Sequence, residues 1–404
     1  MRLRILAALG GCAGPLVATA ADLGESTTVG GRVFFDVSHI SLKNENTDGK
    51  EINTPPTGTG FDVKRFYLIV DHRFNDIWSA NITTDAQFST ASTAVLTTPT
   101  GTTTALTNQN SSGGASEVFI KKLYLEGKFN NLLVVHAGSY DMPWDPFAES
   151  LYAYRYVEKT ITDRLGYSNT TDWGLNASGT GGANGVFSYA ASVVNGGGFK
   201  NPTRTRSVDL EARLSAKPTG WLTAGLGYYT GHLGQITAAN EDFPRNTATR
   251  FDAAAGVLIA GIRAGVEYFN ARNYKTVNKT GALGTSSVVN TTGTPPVSDK
   301  ADGISSFASY SFPGNQWSMF ARYDTAKLSK DVSPDLRETY FDAGVAYKPL
   351  KTIDVALVYK NEKVENGSTS VSGADANGSY TIGGANALRD GRFEEFGLYA
   401  QWGF

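Results

Sequence analysis

The chain has 404 residues, of which 41% are hydrophobic, 11% aromatic and only 18% charged, and its formal net charge is −2. This balance excludes a strongly basic surface for nucleic acid, and after residue 28 no stretch supplies the roughly 20 apolar residues of a membrane-spanning helix. The 45 glycines and the many Tyr and Phe residues favour numerous strands joined by tight turns and polar loops.

The first residues have the composition of a secretory signal peptide. Arg2 and Arg4 form a basic start, a mostly apolar stretch follows, and Ala18-Thr19-Ala20 is a cleavage site of small residues. We therefore predict a signal peptide over residues 1–21 and one barrel domain over residues 22–404. The only cysteine of the chain falls inside the signal peptide, so the exported domain is expected to have no disulfide.

After the signal peptide, segments of about ten residues alternate between apolar and polar side chains, as the strands of membrane barrels do. The clearest alternating segments begin at Val33, Phe66, Trp78, Val208, Ile262, Trp317 and Ile353. Asp and Arg recur on the polar parity of these segments. Such charges fit a water-filled interior better than a dry core, because an unpaired buried charge is costly.

Short and long connections alternate along the chain. The short turns lie at residues 75–76, 130–131, 181–185, 217–220, 260–261, 314–315 and 349–351. The long polar connections lie near residues 43–59, 90–115, 141–169, 196–203, 233–246, 275–300, 326–336 and 365–391. Seven short turns and eight long loops predict an all-β fold, a 16-stranded antiparallel transmembrane β-barrel with short periplasmic turns and long extracellular loops. Soluble β-sandwich domains are the alternative, but they would mix long and short connections.

The predicted last strand ends on an aromatic residue. Its apolar parity holds Phe396, Leu398, Ala400, Trp402 and Phe404. Aromatic side chains on an apolar face near strand ends are typical of membrane interfaces. We predict that Trp402 and Phe404 form the barrel-closure and insertion signal, with Phe404 facing lipid near the periplasmic interface. The last strand should pair with the strand around Val33 and close the barrel.

The third long connection, residues 141–169, is aromatic and charged, whereas the other loops are rich in Thr, Ser, Asn and Gly. Because a sheet of about sixteen strands leaves an aqueous channel, folding inward would bury the loop's aromatic side chains and narrow that channel. An outer cap packed on neighbouring loops is the alternative. The predicted constriction residues on this loop are Asp141, Asp145, Glu149, Arg155, Glu158, Lys159 and Arg164.

Strand parity also predicts which basic residues line the lumen wall. They are Arg32, Arg65, Lys122, Arg213, Arg250, Arg263, Arg322 and Lys360. Acidic residues share this parity, many of them within a few positions of a base. Mixed charges mostly neutralise one another, whereas rings of one sign set ion choice. The sequence therefore predicts a weakly selective pore, with an anion preference only if the bases gather at the constriction.

Three motifs around the third connection resemble a known family. They are His136–Pro143 (HAGSYDMP), Val157–Lys159 (VEK) and Asp163–Gly166 (DRLG), and they are similar to motifs of the phosphate-selective porins of the O and P type. The resemblance implies a homotrimeric porin in the Gram-negative outer membrane, in contact with lipid and lipopolysaccharide, with the third loop inside the lumen and a basic ladder for anions. This chain departs from that ladder, because its third loop carries five acids beside three bases.

Enzyme readings find little support in the sequence. The four histidines, His39, His72, His136 and His232, are scattered, and there is no Gly-x-Ser-x-Gly turn and no Cys or His cluster for a metal. We predict no catalytic activity, no cofactor and no metal. The predicted function is passive diffusion of small hydrophilic solutes and ions through a water-filled channel. A substrate-specific phosphate or polyphosphate channel is the alternative, and a non-transport barrel, an adhesin or a lipid-modifying enzyme, is the third hypothesis.

Overall fold

The computed structural model describes residues 21–22, 26–46, 48–88, 93–97, 103–107, 116–202, 204–278, 281–290, 294–372, 379–384 and 389–404. Residues 1–20 of the predicted signal peptide lie outside this part of the chain, and so does most of the second long connection.

Sixteen long antiparallel strands form one closed sheet in the described part of the chain. They are β1 (Thr27–Glu45), β2 (Gly58–Arg73), β3 (Trp78–Phe88), β4 (Ser116–Asn130), β5 (Leu133–Asp141), β6 (Thr171–Gly181), β7 (Phe187–Val194), β8 (Asp209–Ala216), β9 (Leu222–Gly231), β10 (Ala248–Ile259), β11 (Ile262–Arg272), β12 (Lys300–Ser311), β13 (Trp317–Lys327), β14 (Arg337–Leu350), β15 (Ile353–Glu365) and β16 (Gly391–Gly403). Each strand pairs with its neighbours in the chain, and β1 also pairs with β16. The prediction of a sixteen-stranded barrel is confirmed.

The closing seam joins the two strands that were predicted to pair. Val33 lies opposite Trp402 and Val37 opposite Leu398. The backbones of Phe404 and Gly31 exchange two hydrogen bonds of 3.1 and 3.2 Å. The Phe404 ring covers Gly31 so closely that a Cβ there would lie 2.3 Å from a ring carbon. The aromatic end of the chain therefore needs a glycine on the first strand.

In the described part of the chain, seven tight turns join consecutive strands at one end of the barrel, within two residues of the predicted positions. In the turn between β10 and β11, Ile259 pairs with Ile262, and the two connecting residues, Ala260 and Gly261, have φ angles of 50° and 82°. Two consecutive positive φ values characterise the type I′ hairpin turn, whose twist matches that of the flanking strands. The described parts of the long connections lie at the other end of the barrel.

The two faces of the sheet differ in polarity. On β8, Leu210 and Leu214 are 45% and 69% exposed, whereas the charged residues Asp209 and Glu211 are buried. This pattern is the reverse of a soluble protein, in which charged residues are almost never buried unpaired. It agrees with the alternation of membrane barrels, in which the apolar parity faces outward.

Shorter strands and helices lie between the sixteen long strands in the chain. Strands Ala21–Asp22 and Glu51–Asn53 pair with β1, and two-stranded ribbons are formed by Thr93–Thr97 with Thr103–Thr107, Lys275–Val277 with Leu283–Ser286, and Ser368–Ser372 with Ser379–Gly383. A 3₁₀ turn spans Ala183–Gly185, and two helices, α1 (Asp145–Tyr152) and α2 (Ile161–Arg164), lie between β5 and β6. Within the described ranges no helix has the length and apolarity to cross a membrane.

Candidate functional site

The third loop, residues 142–170 between β5 and β6, lies against the inner face of distant strands. The backbone N–H of Trp144 donates to Glu211 on β8 at 2.8 Å, and its indole N–H donates to Glu267 on β11 at 3.0 Å. The Tyr152 hydroxyl donates to Asp342 on β14 at 3.1 Å. A loop that starts and ends at β5 and β6 reaches these strands only across the interior of the barrel.

The aromatic side chains of α1 are buried because small wall residues leave room for them. Trp144, Phe147 and Tyr152 are nearly inaccessible to solvent. A Cβ on Gly227 would lie 2.6 Å from the Trp144 ring, and one on Gly225 would lie 2.6 Å from the Phe147 ring. The wall glycines of β9 thus allow the loop to pack directly on the strand.

Wall arginines also hold the backbone of α1. Arg213 donates to the carbonyl oxygen of Pro143 at 2.9 Å, and Arg263 donates to that of Ser150 at 3.0 Å. Both were predicted to line the lumen. They do lie on the inner face, and part of their hydrogen-bonding capacity is used to fix the loop.

Arg164, at the end of α2, is the most enclosed charge of the loop. Its guanidinium lies 3.0, 2.7 and 2.6 Å from carboxylates of Asp324, Glu338 and Glu362 on three consecutive strands. It also stacks over the ring of Tyr340 at 4.2 Å. Because this side chain is fully buried, it cannot face a channel. The expectation of Arg164 as a constriction residue is therefore corrected: its carboxylate partners draw it into the wall.

Asp145 and Glu158 are likewise covered, contrary to the expectation that they line a constriction. Asp145 accepts hydrogen bonds from Thr162 and Ser168 at 3.2 and 2.8 Å. Burial raises the pKa of the Asp145 carboxyl well above its ordinary value, and neighbouring carboxylates add to this effect. Glu158 forms a buried ion pair of 3.2 Å with Lys360. Both acids serve loop packing.

The predicted wall bases under the loop are paired with carboxylates. Arg250 lies 2.8 Å from Asp252, Arg322 lies 2.6 Å from Asp324, and Lys360 lies 3.3 Å from Glu395. All three bases have the predicted inward parity and are buried. Nearby carboxylates thus neutralise the charges of these bases, which therefore contribute little to the electric field of an open lumen.

The opposite side of the third loop faces β1 to β4 and carries Arg155, which is partly accessible, and Lys159, which is buried. Arg155 lies 2.6 Å from Glu149 and 3.5 Å from Asp163, and Lys159 lies 3.5 Å from Asp163. On the facing wall, Arg65 lies 2.8 Å from Asp85. The first three contacts lie within the loop, and the fourth lies within the wall.

The electrostatics of Asp163 define this group of charges. Burial raises its pKa, but Lys159, Arg155, Arg65 and Lys121 outweigh burial and bring the pKa below its ordinary value. One loop carboxylate is thus surrounded by two loop bases and two wall bases. We call Arg65, Lys121, Arg155 and Lys159 the basic cluster; its nearby acids are Asp85, Glu149 and Asp163. Glu158, which also acts on Lys159, is paired with Lys360 outside the cluster, so the cluster holds one more base than acid.

Lys121 belongs to this cluster through a departure from strict strand alternation. Thr83 pairs with Lys122 and Thr84 with Ile120, so Lys121 is an extra residue in β4, that is, a β-bulge. Its ammonium group lies 3.2 Å from the Tyr67 hydroxyl on the inner face. Lys122, predicted from parity alone, also turns inward, and it pairs with Asp141 at 2.6 Å.

A second bulge has the same effect on β2. Phe34 pairs with Arg65 but Phe35 with Val63, so Lys64 is the extra residue. Lys64 forms a buried ion pair of 2.6 Å with Asp36. Parity alone missed Lys64 and Lys121. The available signal was two adjacent bases in one strand, because strict alternation would place one of them in lipid at a cost of about 2–4 kcal/mol.

The remaining predicted positions fall outside the cluster. Arg32 is half-buried on β1. His136 on β5 lies 3.0 Å from Glu126 and stacks on Tyr140 at 3.5 Å. Across the described part of the chain, no group of three or more His, Cys, Asp or Glu side chains is arranged to hold a metal ion.

Comparison with known proteins adds information on the fold. No family model and no curated protein matches the chain. Among solved structures, OmpT of Vibrio cholerae has a TM-score of 0.55 at 14% identity, covering 95% of this chain and 100% of that one. The in-vitro folded trimer form of OmpT has a TM-score of 0.51 at 16% identity, covering 94% of this chain and 100% of that one. The anion-selective porin from Comamonas acidovorans has a TM-score of 0.55 at 13% identity, covering 94% of this chain and 99% of that one.

These likenesses define the class of the fold. The chain is a closed sixteen-stranded barrel of porin architecture. At 13 to 16% identity the likeness concerns the fold. The narrower resemblance to phosphate-selective porins stays a prediction.

Proposed function

We propose that the protein forms a water-filled channel in the Gram-negative outer membrane for passive diffusion of small hydrophilic solutes and ions, with a weak preference for anions. The observation that carries the preference is the basic cluster, in which two loop bases and two wall bases surround Asp163. Sixteen strands enclose a lumen too wide for side chains to fill. The selecting field must then come from charges that the loop brings close to the wall.

The preference should be weak because acids accompany the bases. Glu149 and Asp163 contact Arg155, and Asp85 contacts Arg65. The cluster therefore attracts anions by a small excess of charge. A phosphate-specific channel would need bases without nearby carboxylates to replace the hydration of phosphate, and we therefore keep it only as the second candidate.

The anchoring of the loop supports a channel of constant width. Arg164, Trp144 and Tyr152 attach the loop to the wall at both helices. Buried, well-partnered side chains have a single favoured arrangement. We propose that this attachment keeps Arg155 and Lys159 at a fixed distance from β2 and β4, so that open channels conduct ohmically.

The remaining features of the proposal concern export and assembly. We propose that residues 1–21 direct export and are removed, and that the barrel of residues 22–404 assembles as a homotrimer in contact with lipid and lipopolysaccharide. The exposed apolar parity, with Leu214 as an example, supports a lipid-facing outer surface. No catalytic step, cofactor or metal is part of the proposal.

Conductance in planar lipid bilayers tests this function. The purified protein should give large ohmic steps in KCl, and a KCl gradient should give a small reversal potential of the sign for anions. Saturable conductance that phosphate blocks at low concentration would favour the phosphate-specific channel. A complete lack of conductance from correctly folded protein would refute both channel functions.

A further inference from the structure

A pocket of about 310 Å³ lies beside the third loop, away from the basic cluster. Its lining comes from the end of the third loop, the connections that follow β7 and β9, and the ribbon that follows β11. Glu211 and Arg250, on β8 and β10, also line it. The pocket therefore lies at the long-loop end against β8 to β10, whereas the basic cluster faces β1 to β4.

Lys275, from the ribbon, places a positive charge at this pocket. Its ammonium group donates to the carbonyl oxygen of Leu165 at 2.6 Å and lies 5.1 Å from the centre of the Tyr167 ring. It forms no ion pair with any carboxylate that the structure describes. Burial lowers the pKa of Lys275 to about 8. At neutral pH the lysine is therefore still mostly protonated, with no compensating negative charge.

The two acids of the same pocket differ in their partners. Glu211 lies 3.1 Å from Arg250 and accepts the backbone N–H of Trp144. Asp172 accepts the backbone N–H of Trp173 at 2.7 Å and forms no ion pair with a base in the described part of the chain. Lys275 is thus the base of the pocket that lacks a carboxylate partner, and an anionic group of a ligand would bind there.

Two amide side chains add hydrogen-bonding capacity. The Ser286 hydroxyl donates to the side-chain oxygen of Gln235, which leaves the amide NH₂ group of Gln235 to donate elsewhere. The side chain of Asn169 is on an exposed residue at the pocket. No described group accepts a hydrogen bond from the amide nitrogen of either residue. Amide groups of this kind hydrogen-bond to hydroxyl groups.

We infer that this pocket binds a small hydroxylated carboxylate, that is, a sugar acid, with its carboxylate on Lys275 and its hydroxyl groups on Asn169 and Gln235. The volume is at the lower end of the range of about 300–1,000 Å³ for small-molecule sites. The rings of Tyr167, Tyr229 and Tyr274, which also line the pocket, offer apolar surface to the C–H groups of such a ligand. This site goes beyond diffusion, which requires no binding pocket.

Isothermal titration of the detergent-purified full barrel with sodium gluconate tests the inference at pH 7, with sorbitol as the uncharged polyol control. We expect gluconate to bind at least tenfold more tightly than sorbitol. Lys275→Met should lower gluconate affinity at least tenfold, because a charge-assisted hydrogen bond is lost. Lys330→Met is the matched control. Lys330 lies in another loop and pairs with Asp302 on β12, so this change should leave the gluconate affinity unchanged.

A second set of variants separates the charge of Lys275 from its packing. Lys275→Arg should keep gluconate binding, and Asn169→Ala, at an exposed position, should weaken it about threefold through the loss of one neutral hydrogen bond. Raising the pH from 7 to 9.5 should weaken binding to the native barrel but not to Lys275→Arg, because arginine stays charged. The other charged or titratable groups that line the pocket are Tyr167, Asp172, Glu211, Tyr229, Arg250 and Tyr274.

The outcomes that overturn the inference are distinct from a failure of the channel proposal. Absence of gluconate binding by the native barrel, or equal affinity in the folded Lys275→Met variant, would refute the pocket. Binding is measured in detergent, without a membrane. A barrel that binds gluconate but does not conduct would thus leave the pocket standing and remove the proposed diffusion function.

Discussion

The two sides of the third loop carry the same types of charged residue, but these residues have different roles on each side. Toward β8 to β15, charges are buried in pairs, as with Arg164 and its three carboxylates. Toward β1 to β4, the partly accessible Arg155 and the buried Lys159 act on Asp163 together with Arg65 and Lys121. Buried, compensated charges attach the loop, whereas we propose that the excess of base on the other side produces the electric field that a passing ion would meet.

The largest expected effect is a loss of stability in the Arg164→Met variant. The change leaves Asp324, Glu338 and Glu362 buried around a neutral side chain, and breaking a buried ion pair in this way costs about 3–5 kcal/mol. We expect a strongly lowered thermal unfolding temperature of the purified barrel. Arg155→Met, on the accessible side, should lower it far less. Equal losses in the two variants would contradict the division between the two sides.

A smaller loss is expected when the loop is pushed off the wall by added volume. Gly227→Val places a side chain where the Trp144 ring lies, since even a Cβ would be 2.6 Å away. Overpacking of this kind costs about 1–3 kcal/mol, and we also expect noisier single-channel currents. Gly220→Val is the matched control, because a Cβ there meets nothing within 4 Å. Quiet currents from Gly227→Val would show that the loop does not depend on this contact.

Asp163→Asn tests the side of the loop that faces β1 to β4 through ion selectivity. Removing the carboxylate that four bases surround increases the positive excess of the basic cluster. The reversal potential in a KCl gradient should move further toward anions. A move toward cations would mean that the cluster does not control selectivity.

The smallest effect concerns pH and Lys159. Burial lowers the pKa of Lys159 below its ordinary value, and Arg65 and Arg155 lower it further. Lys159 should therefore lose its charge at a lower pH than an ordinary lysine, and the anion preference should decline as the pH rises above neutral. Lys159→Arg should abolish this decline. The measurement is the reversal potential from pH 7 to 10, and identical profiles for the two proteins would reject the assignment.

The strand order could be predicted from the sequence because the signals for it are local. Alternating parity and the turn residues, such as Ala260-Gly261, are repeated along the chain, and each instance supports the others. The bulges at Lys64 and Lys121 are single exceptions to this period. Strict alternation therefore assigned them to the wrong face.

The candidate site was less predictable because burial of a loop depends on strands distant in sequence. Arg155 and Arg164 look alike in the sequence and both were expected at the constriction. Only the carboxylates of β13, β14 and β15 draw Arg164 into the wall, almost 200 residues away in the case of Glu362. The residues near Arg164 in the sequence do not indicate these partners.

The central claim is that Arg155 and Lys159 of the third loop give the channel its anion preference. The most direct measurement is the reversal potential of the Arg155→Gln/Lys159→Gln double variant in a KCl gradient. Lys330→Gln/Lys363→Gln, which neutralises two lysines paired with Asp302 and Glu365, is the matched control. We predict a clear shift toward cations in the loop variant and a much smaller one in the control. An unchanged reversal potential in the conducting loop variant would contradict the account.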